Sequence, residues 1–329
     1  SHAVPAGLLE ELRSGRVRFP HVSVGAHERG PVFEIGAMTT RPTPASLSDL
    51  GRRIAWMDEQ RLDLQVVAPW LDIAGYDLPP DEGADWSRFV NQELASLKLQ
   101  SDRVALLGTV PLQDPKVAGE VLTEVLRNGF AGVMIGTTVA GVHLDDPQLA
   151  PFWEAADETG SIVYLHPPFS SGVEAYRAYG LENALGRVND GSLALARLIF
   201  SGAVERYSGA RIVVSHGGAA IPYVLGRLTR AAEVDSSLPD PVAAFGRLWF
   251  DSVVFRREAL ELLVSVASAE RVLIGSDYPF PIGDLTPRRV VEESKLSQHE
   301  YRCIVGTNAC QLFGLPTNSV SNVSEGSAK

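Results

Sequence analysis

Short apolar segments rich in β-forming residues recur along the chain, and each is followed by a segment with helical periodicity. Runs such as "RIVVSH" and "RVLIGSD" are continuously apolar, which is typical of parallel strands that are buried on both faces. Alternation of strand and helix on this scale predicts an α/β fold with right-handed crossovers. Seven strands are predicted, at Leu64–Pro69, Val104–Val110, Ala131–Ile135, Ile162–His166, Ile212–His216, Trp249–Asp251 and Val272–Asp277.

The segments between these strands carry signals for the start of helices. Asp114-Pro115 and Asp146-Pro147 each combine a residue that caps a helix with a proline that fits its first turn. No internal repeat or linker divides the chain, so a single domain is predicted over residues 1–315, followed by a flexible polar tail over 316–329. The predicted helices include Trp86–Gln100, Pro115–Asn128, Pro147–Thr159 and Ala219–Val234.

The beginning of the chain decides between two folds, because seven strands fit either a doubly wound sheet or an eight-stranded barrel with one strand uncounted. The chain opens on "SHAVP" and continues into a helical segment, "PAGLLEELRSG". A first strand that begins before Ser1 and ends at about His2 completes a (β/α)8 TIM barrel, although a tag-derived Ser-His is the alternative. Strand-like alternation over Val17–Met38, around "GAHERGP", predicts a small N-terminal hairpin insertion.

Four polar side chains stand at the ends of predicted strands: His166, His216, Asp277 and, on the inferred first strand, His2. A single strand-end histidine is more often a hydrogen-bonded core residue, and a strand-end aspartate often caps the next turn. All carboxyl ends of barrel strands, however, meet at one mouth. Four such residues at one rim predict an open site for Zn(II) or a similar divalent ion. No role is predicted for the other histidines, His21, His27, His143 and His299.

Composition and missing motifs exclude several classes of function. The net charge is −11 and no Lys/Arg cluster forms a basic face, so nucleic-acid binding is not expected. No apolar run approaches the roughly 20 residues that span a bilayer. His216-Gly217-Gly218 matches the oxyanion motif of lipases, but no G-x-S-x-G accompanies it. Cys303 and Cys310 are too few for a disulfide framework or a cysteine metal cluster, which favours a reducing cytoplasm.

The blocks "YLHPPF", "VVSHGGAAIPYVLGRL", "WFDS" and "VLIGSDYPFPIGDL" resemble the decarboxylase branch of the amidohydrolase superfamily (amidohydrolase-2 type). Within that branch the chain is most similar to the 2-amino-3-carboxymuconate-6-semialdehyde decarboxylases, from "SHAVP" to "NACQLFGL". The resemblance implies a TIM barrel of the metal-dependent hydrolase type. It makes His2, His166 and Asp277 metal ligands, with the first ligand of the family's His-x-His motif lying before Ser1. It makes His216 the acid–base residue and gives Asp277 a share in proton relay.

The resemblance also implies three contacts with the substrate. Arg227 matches an arginine that reaches the neighbouring subunit's site and holds a substrate carboxylate, a task that suits a permanently charged guanidinium. The alternative for Arg227 is a solvent-exposed helix position. Phe280 matches a residue that packs on the substrate, with ordinary core packing as its alternative, and Arg41 matches a further carboxylate contact.

These features predict non-oxidative decarboxylation of a conjugated or aromatic carboxylic acid, either muconate-semialdehyde-like or ortho-hydroxybenzoate-like. One divalent metal, Zn with Mn as the alternative, no organic cofactor, a small-molecule carboxylate substrate and a homodimer are expected. The family's tryptophan-rich segment is replaced by "AYRAYGLENALG", which indicates a different pocket wall. Two other functions stay open: a metal-dependent hydrolase or hydratase acting on an ester, lactone or ring-cleavage product, and a barrel whose site has decayed.

Overall fold

The computed structural model describes residues 1–168 and 173–315, so the predicted flexible tail lies outside the described residues. None of the described helices is both long enough and apolar enough to cross a membrane. The described strands are β1 (His2–Ala3), β2 (Val22–Gly25), β3 (Val32–Ile35), β4 (Met38–Thr39), β5 (Gln65–Pro69), β6 (Val104–Gly108), β7 (Gly132–Ile135), β8 (Thr138–Val139), β9 (Val142–His143), β10 (Ile162–Leu165), β11 (Arg211–Val214), β12 (Trp249–Asp251) and β13 (Val272–Leu273).

Helices connect most of these strands and end the described chain. They are α1 (Ala6–Ser14), α2 (Leu50–Glu59), α3 (Pro80–Gln100), α4 (Pro115–Arg127), α5 (Ala150–Thr159), α6 (Arg187–Phe200), α7 (Ala203–Arg206), α8 (Ile221–Val234), α9 (Pro241–Phe245), α10 (Arg257–Ala267), α11 (Pro287–Glu293), α12 (Gln298–Arg302) and α13 (Asn308–Phe313). Asp114 accepts a hydrogen bond from the Val117 amide at the start of α4, as its predicted capping role requires.

Eight of the strands form one parallel sheet in the order β1-β5-β6-β7-β10-β11-β12-β13. Neighbouring residues on a strand face two different cores. On β5, Val67 packs against the helices, whereas Ala68 points to the inner core that it shares with Leu107 and Met134. Both faces of the sheet are therefore buried, as the continuous apolar runs predicted.

All seven strands predicted downstream of the N-terminus are present, but four of them end earlier than predicted. Strand β6 ends at Gly108 rather than Val110, and β10 ends at Leu165 rather than His166. The strand predicted over Val272–Asp277 ends at Leu273, because the Ile274 amide donates to the carbonyl of Ile304 in the C-terminal segment. The strand predicted to end at His216 ends at Val214, since the backbone turns into the left-handed region at His216, with φ of 55°.

Four helix boundaries also differ from the prediction. Helix α4 ends at Arg127 rather than Asn128, and α8 begins at Ile221 rather than Ala219. Helix α3 begins at Pro80 rather than Trp86, with a proline at its first turn. The segment predicted as one helix from Pro147 starts with a 3-10 turn over Pro147–Leu149, and α5 begins at Ala150.

A separate three-stranded antiparallel sheet lies between α1 and α2. Strand β2 pairs with β3, with Val22 opposite Ile35, and β3 pairs with β4. Phe33 and Ile35 are fully buried against Trp86 and other members of a second apolar cluster. That this sheet is an insertion relative to the family's barrel stays a prediction.

The first and last strands of the parallel sheet approach each other at its carboxyl edge. The His2 amide donates to the carbonyl of Tyr278, over 2.8 Å. Arg53 of α2, only 2% exposed, donates to the His2 carbonyl and to Gln65 Oε1, and its guanidinium lies 4.9 Å from the centre of the Tyr278 ring. One buried cation thus links β1, β5 and the segment after β13. The curled sheet is consistent with the predicted TIM barrel.

Replacing Arg53 with methionine tests this link. Arg53→Met leaves the buried His2 carbonyl and the Gln65 side chain without their donor, so we expect the free energy of unfolding to fall by about 3 kcal/mol. The exposed neighbour offers a matched control, since Arg52→Met is expected to change stability by less than about 0.5 kcal/mol. Urea denaturation measures both, and equal effects of the two substitutions would refute the linking role of Arg53.

Candidate metal centre

Three predicted ligands, His2, His166 and Asp277, meet at the carboxyl edge of the sheet. Their nearest nitrogen and oxygen atoms all lie within 4.8 Å of one another. His2 Nε2 is 2.9 Å from Asp277 Oδ1, and His166 Nε2 is 3.8 Å from the same oxygen. The imidazole rings of His2 and His166 meet edge to face at 4.8 Å. Strands that are far apart in sequence thus bring two imidazoles and a carboxylate to one point.

The tautomer of His166 leaves the lone pair of its Nε2 on the side of the Asp277 carboxylate. Its Nδ1 lies 2.9 Å from the carbonyl of Pro167, so Nδ1 carries the proton and donates it. Its Nε2 is buried without a hydrogen-bond partner among the described residues, because 3.8 Å to Asp277 is too long for a hydrogen bond. A buried imidazole lone pair beside a carboxylate fits a ligand of a divalent metal.

The charges of the three side chains suit the same role. Burial lowers the pKa of His2 and of His166, although the Asp277 carboxylate opposes this shift. Burial acts to raise the pKa of Asp277, but the two imidazoles outweigh it and hold the pKa well below its usual range. Neutral imidazoles and an ionised carboxylate are the forms that bind metal.

His216 lies beside these ligands, with its ring 5.4 Å from the ring of His166. Burial, reinforced by His166, lowers the pKa of His216 to about 4. The residue sits in a turn in which Gly217 and Gly218 also have positive φ. A side chain at Gly217 would place its Cβ 2.4 Å from Val254, so this turn requires glycine.

Asp251 fixes the turn that carries His216. Its Oδ1 accepts from the amides of Gly217 (2.9 Å) and Val253 (3.1 Å), and its Oδ2 accepts from the Tyr164 hydroxyl (2.8 Å). Sequence analysis assigned Asp251 no role, although it ends the predicted strand Trp249–Asp251. The strand-end rule that identified Asp277 applies to Asp251 as well.

The structure brings Arg41 and Phe280 next to the ligands. The Phe280 ring lies 5.5 Å from the His2 ring. The Arg41 guanidinium lies 5.5 Å from the Trp70 ring and 5.7 Å from the Phe280 ring, and it pairs with Asp72 over 3.3 Å. An aromatic wall and a cation therefore border the centre on the side of β1 and β5.

Two further buried charges lie near the centre, Asp72 and Arg187, and neither was predicted from the sequence. Burial raises the pKa of Asp72, opposed by the positive charges of Arg41 and Arg187. Burial lowers the pKa of Arg187, which is 7% exposed at the start of α6, and Asp72 and Asp277 oppose this shift. Arg187 follows no strand end, and Asp72 lies three residues after the end of β5, outside any motif that the sequence analysis used, so the tertiary structure was needed to place both beside the centre.

Arg227 is not part of this assembly. It lies on the exposed face of α8. Tyr223, one turn earlier on the same helix, is 84% exposed.

The lowered pKa values of the buried histidines predict how acid changes the stability of the metal-free protein. Folded-state pKa values of His2, His166 and His216 lie below the ordinary value of 6.5, so the unfolded chain binds more protons below that pH. We expect the Tm to fall as the pH drops from about 6.5 towards 4, each unit of pKa depression costing about 1.4 kcal/mol. Calorimetry measures this, with His216→Asn expected to give a shallower fall. A constant Tm between pH 7 and pH 5 would contradict the account.

Comparisons with known proteins agree with this geometry. The family model described as amidohydrolase matches residues 80–315. The chain is 30% identical over 275 residues to 2-amino-3-carboxymuconate-6-semialdehyde decarboxylase from Dictyostelium discoideum, covering 81% of this chain and 77% of the relative. It is 29% identical over 290 residues to gamma-resorcylate decarboxylase from Rhodococcus jostii, covering 80% of this chain and 87% of the relative.

A solved structure supports the same assignment. It is 5-carboxyvanillate decarboxylase from Novosphingobium aromaticivorans, complexed with manganese and 4-hydroxy-3-methoxy-5-nitrobenzoic acid. It superposes with a TM-score of 0.76 at 26% identity, covering 82% of each chain. The predicted resemblance is confirmed, and the chain belongs to the amidohydrolase family, among relatives that are named as decarboxylases.

Proposed function

We propose that this chain catalyses the metal-dependent, non-oxidative decarboxylation of a conjugated or aromatic carboxylic acid, muconate-semialdehyde-like or ortho-hydroxybenzoate-like. The observation that carries the proposal is the convergence of His2, His166 and Asp277 with His216 beside them. The relatives named for carboxymuconate-semialdehyde and resorcylate decarboxylation support this substrate class.

His2, His166 and Asp277 would hold one divalent ion. Two imidazole nitrogens and one carboxylate oxygen suit Zn(II), and Mn(II) is the alternative because the 5-carboxyvanillate decarboxylase was solved with manganese. A bound ion supplies Lewis acidity and a template for the substrate's carboxylate or a neighbouring oxygen. No organic cofactor is required, since the conjugated system of the substrate accepts the electrons.

His216 moves the proton in this proposal. Because its pKa is lowered to about 4, the imidazole is neutral at pH 7 and has both a lone pair and an N–H. It can take a proton from a substrate hydroxyl or from water and deliver one to the carbon that bears the carboxylate. Protonation interrupts the conjugation; the bond to the carboxylate then breaks, its electron pair restores the conjugation, and CO2 leaves. Asp251 acts as a positioning residue, since it fixes the backbone next to His216.

Three side chains would bind the substrate. Arg41 offers a guanidinium to a substrate carboxylate, and Phe280 offers a ring face between Arg41 and His2. Arg227 would enter the site of a second protomer, which is supported by its exposed place on α8 beside Tyr223. The active form in this proposal is a homodimer.

Two further observations support the predicted barrel and the predicted reducing compartment. The bond between the His2 amide and the Tyr278 carbonyl supports closure of the curled sheet into a complete (β/α)8 barrel, as a single domain over 1–315. Cys303 and Cys310 are buried and are not joined in a disulfide, which favours a reducing compartment such as the cytoplasm.

The first test of the proposal is CO2 release from a panel of muconate-type and ortho-hydroxybenzoate-type acids. Metal-loaded protein is expected to release CO2 from at least one of them, and chelation is expected to abolish release. His216→Asn removes the proton relay while tolerating the positive φ, so kcat is expected to fall roughly 100- to 10,000-fold with metal content unchanged. His27→Asn, at an exposed turn histidine, is the matched control and is expected to retain activity.

Two results would contradict the proposal. One is full activity of His216→Asn. The other is the absence of CO2 from every acid while metal occupancy is complete. If the same protein then hydrolysed an ester or lactone, or hydrated a double bond, the metal centre would serve the alternative reaction.

Mixing two inactive variants tests the homodimer and the role of Arg227. Arg227→Ala lacks the carboxylate contact and His216→Asn lacks the proton relay. Co-expressed with different tags, they form hybrid dimers that carry one intact site, so roughly a quarter of wild-type activity is expected in a random mixture. Activity that stays at the level of the separate variants would place Arg227 outside the neighbouring site.

A further inference from the structure

A second group of metal-binding side chains lies outside the centre described above. Glu270 stands in the turn Ala269–Arg271 before β13, His299 lies in α12, and Cys303 begins the π-helical segment Cys303–Thr307. Their carboxylate oxygen, imidazole nitrogen and sulfur atoms all lie within 4.8 Å of one another. We propose that these three residues bind a structural Zn²⁺ ion, with a water as the fourth ligand.

The distances within this group match those of a zinc site. His299 Nε2 lies 3.1 Å from Glu270 Oε1 and 3.6 Å from Cys303 Sγ. Tetrahedral Zn²⁺, with bonds of about 2.0 Å to nitrogen or oxygen and 2.3 Å to sulfur, places neighbouring ligand atoms roughly 3.3 to 3.6 Å apart. The two distances from His299 Nε2 thus differ from those around a bound ion by only about a few tenths of an ångström, while the Glu270 and Cys303 atoms lie within 4.8 Å of each other.

The surrounding structure orients all three ligands. His299 and Cys303 are four residues apart on one helical segment, so they share a face. A capping box between Ser297 and Glu300 fixes the start of that segment. The second carboxylate oxygen of Glu270 accepts a hydrogen bond from the Ser268 hydroxyl. Hydrogen bonds of this kind, made to ligands rather than to the metal, hold metal sites in shape.

Charge and solvent access favour a cation at this place. The Glu270 and His299 side chains are 56% and 65% exposed, which leaves the fourth position open to water, while Cys303 is buried beneath them. An exposed ion pair between Glu270 and His299 by itself contributes little to stability. A divalent cation neutralises the carboxylate and the thiolate together, and a thiolate with an imidazole favours zinc over magnesium, calcium or manganese.

A metal at this position would join two segments that support the first centre. The Asn308 side chain already donates to the carbonyls of Ala269 and Val272, each over 2.7 Å, and ties the C-terminal helices to β13. Strand β13 leads directly to Asp277. Zinc bound by Glu270, His299 and Cys303 would form a second link between the segment before β13 and the C-terminal helices.

Cobalt titration tests the site without reference to catalysis. The centre formed by His2, His166 and Asp277 contains no sulfur, so a thiolate-to-cobalt absorption band reports only on a cysteine site. We expect this band to appear near stoichiometric Co²⁺, to disappear when Zn²⁺ is added, and to be absent from Cys303→Ser. Cys310→Ser, which removes the other cysteine, is the matched control and is expected to keep the band.

A second variant covers the case in which Cys303→Ser does not fold. His299→Ala changes an exposed side chain and is expected to weaken cobalt binding at the thiolate site at least tenfold. Zinc is expected to raise the Tm of the wild-type protein more than that of His299→Ala, since both retain the first centre. A missing band in the wild type, a band retained in Cys303→Ser, or a band seen only at great excess of cobalt would overturn the proposal. None of these results depends on whether the protein is a decarboxylase.

Discussion

The junction of His2 with Asp277 and Tyr278 joins the first strand of an eight-stranded sheet to the segment that follows the last strand, and the rest of the molecule depends on this junction. The side-chain atoms of His2 and Asp277 lie 2.9 Å apart, and the His2 amide bonds to the residue after Asp277. Arg53 supports the junction from α2. The same two side chains are two of the three candidate metal ligands. Closure of the curled sheet and assembly of the candidate centre therefore depend on the same residues. A change that separates β1 from the segment after β13 would disrupt both.

The centre is held in place at a conformational cost. His216 and Asp277 both have positive φ, a region that costs an ordinary residue roughly 1 to 2 kcal/mol. At the turn that contains His216, the Asp251 carboxylate offsets part of this cost, because it accepts hydrogen bonds from the Gly217 amide and the Tyr164 hydroxyl. The surrounding scaffold thus keeps the proposed proton-transferring imidazole and the proposed carboxylate ligand in fixed positions before any substrate arrives. Such preorganisation is what proton transfer to carbon requires.

Much of this architecture is predictable from sequence, because continuous apolar runs between helical segments leave few alternatives to a parallel sheet. Strand-end position also identified His166 and Asp277, since carboxyl ends of parallel strands converge. Other features depend on tertiary contacts that no local pattern records. The bond from Ile274 to Ile304 shortens β13, and the buried charges of Asp72 and Arg187 sit in segments without a motif. For the same reason two cysteines, counted alone, indicated no metal site, whereas the fold places Cys303 beside His299 and Glu270.

Anomalous X-ray diffraction from a crystal of the metal-loaded protein would show directly whether these three side chains hold one ion. We expect a strong peak at bonding distance, about 2.0 to 2.2 Å, from His2 Nε2, His166 Nε2 and the Asp277 carboxylate. A loaded crystal in which His2 and Asp277 still contact each other directly, with no peak between them and His166, would contradict this expectation.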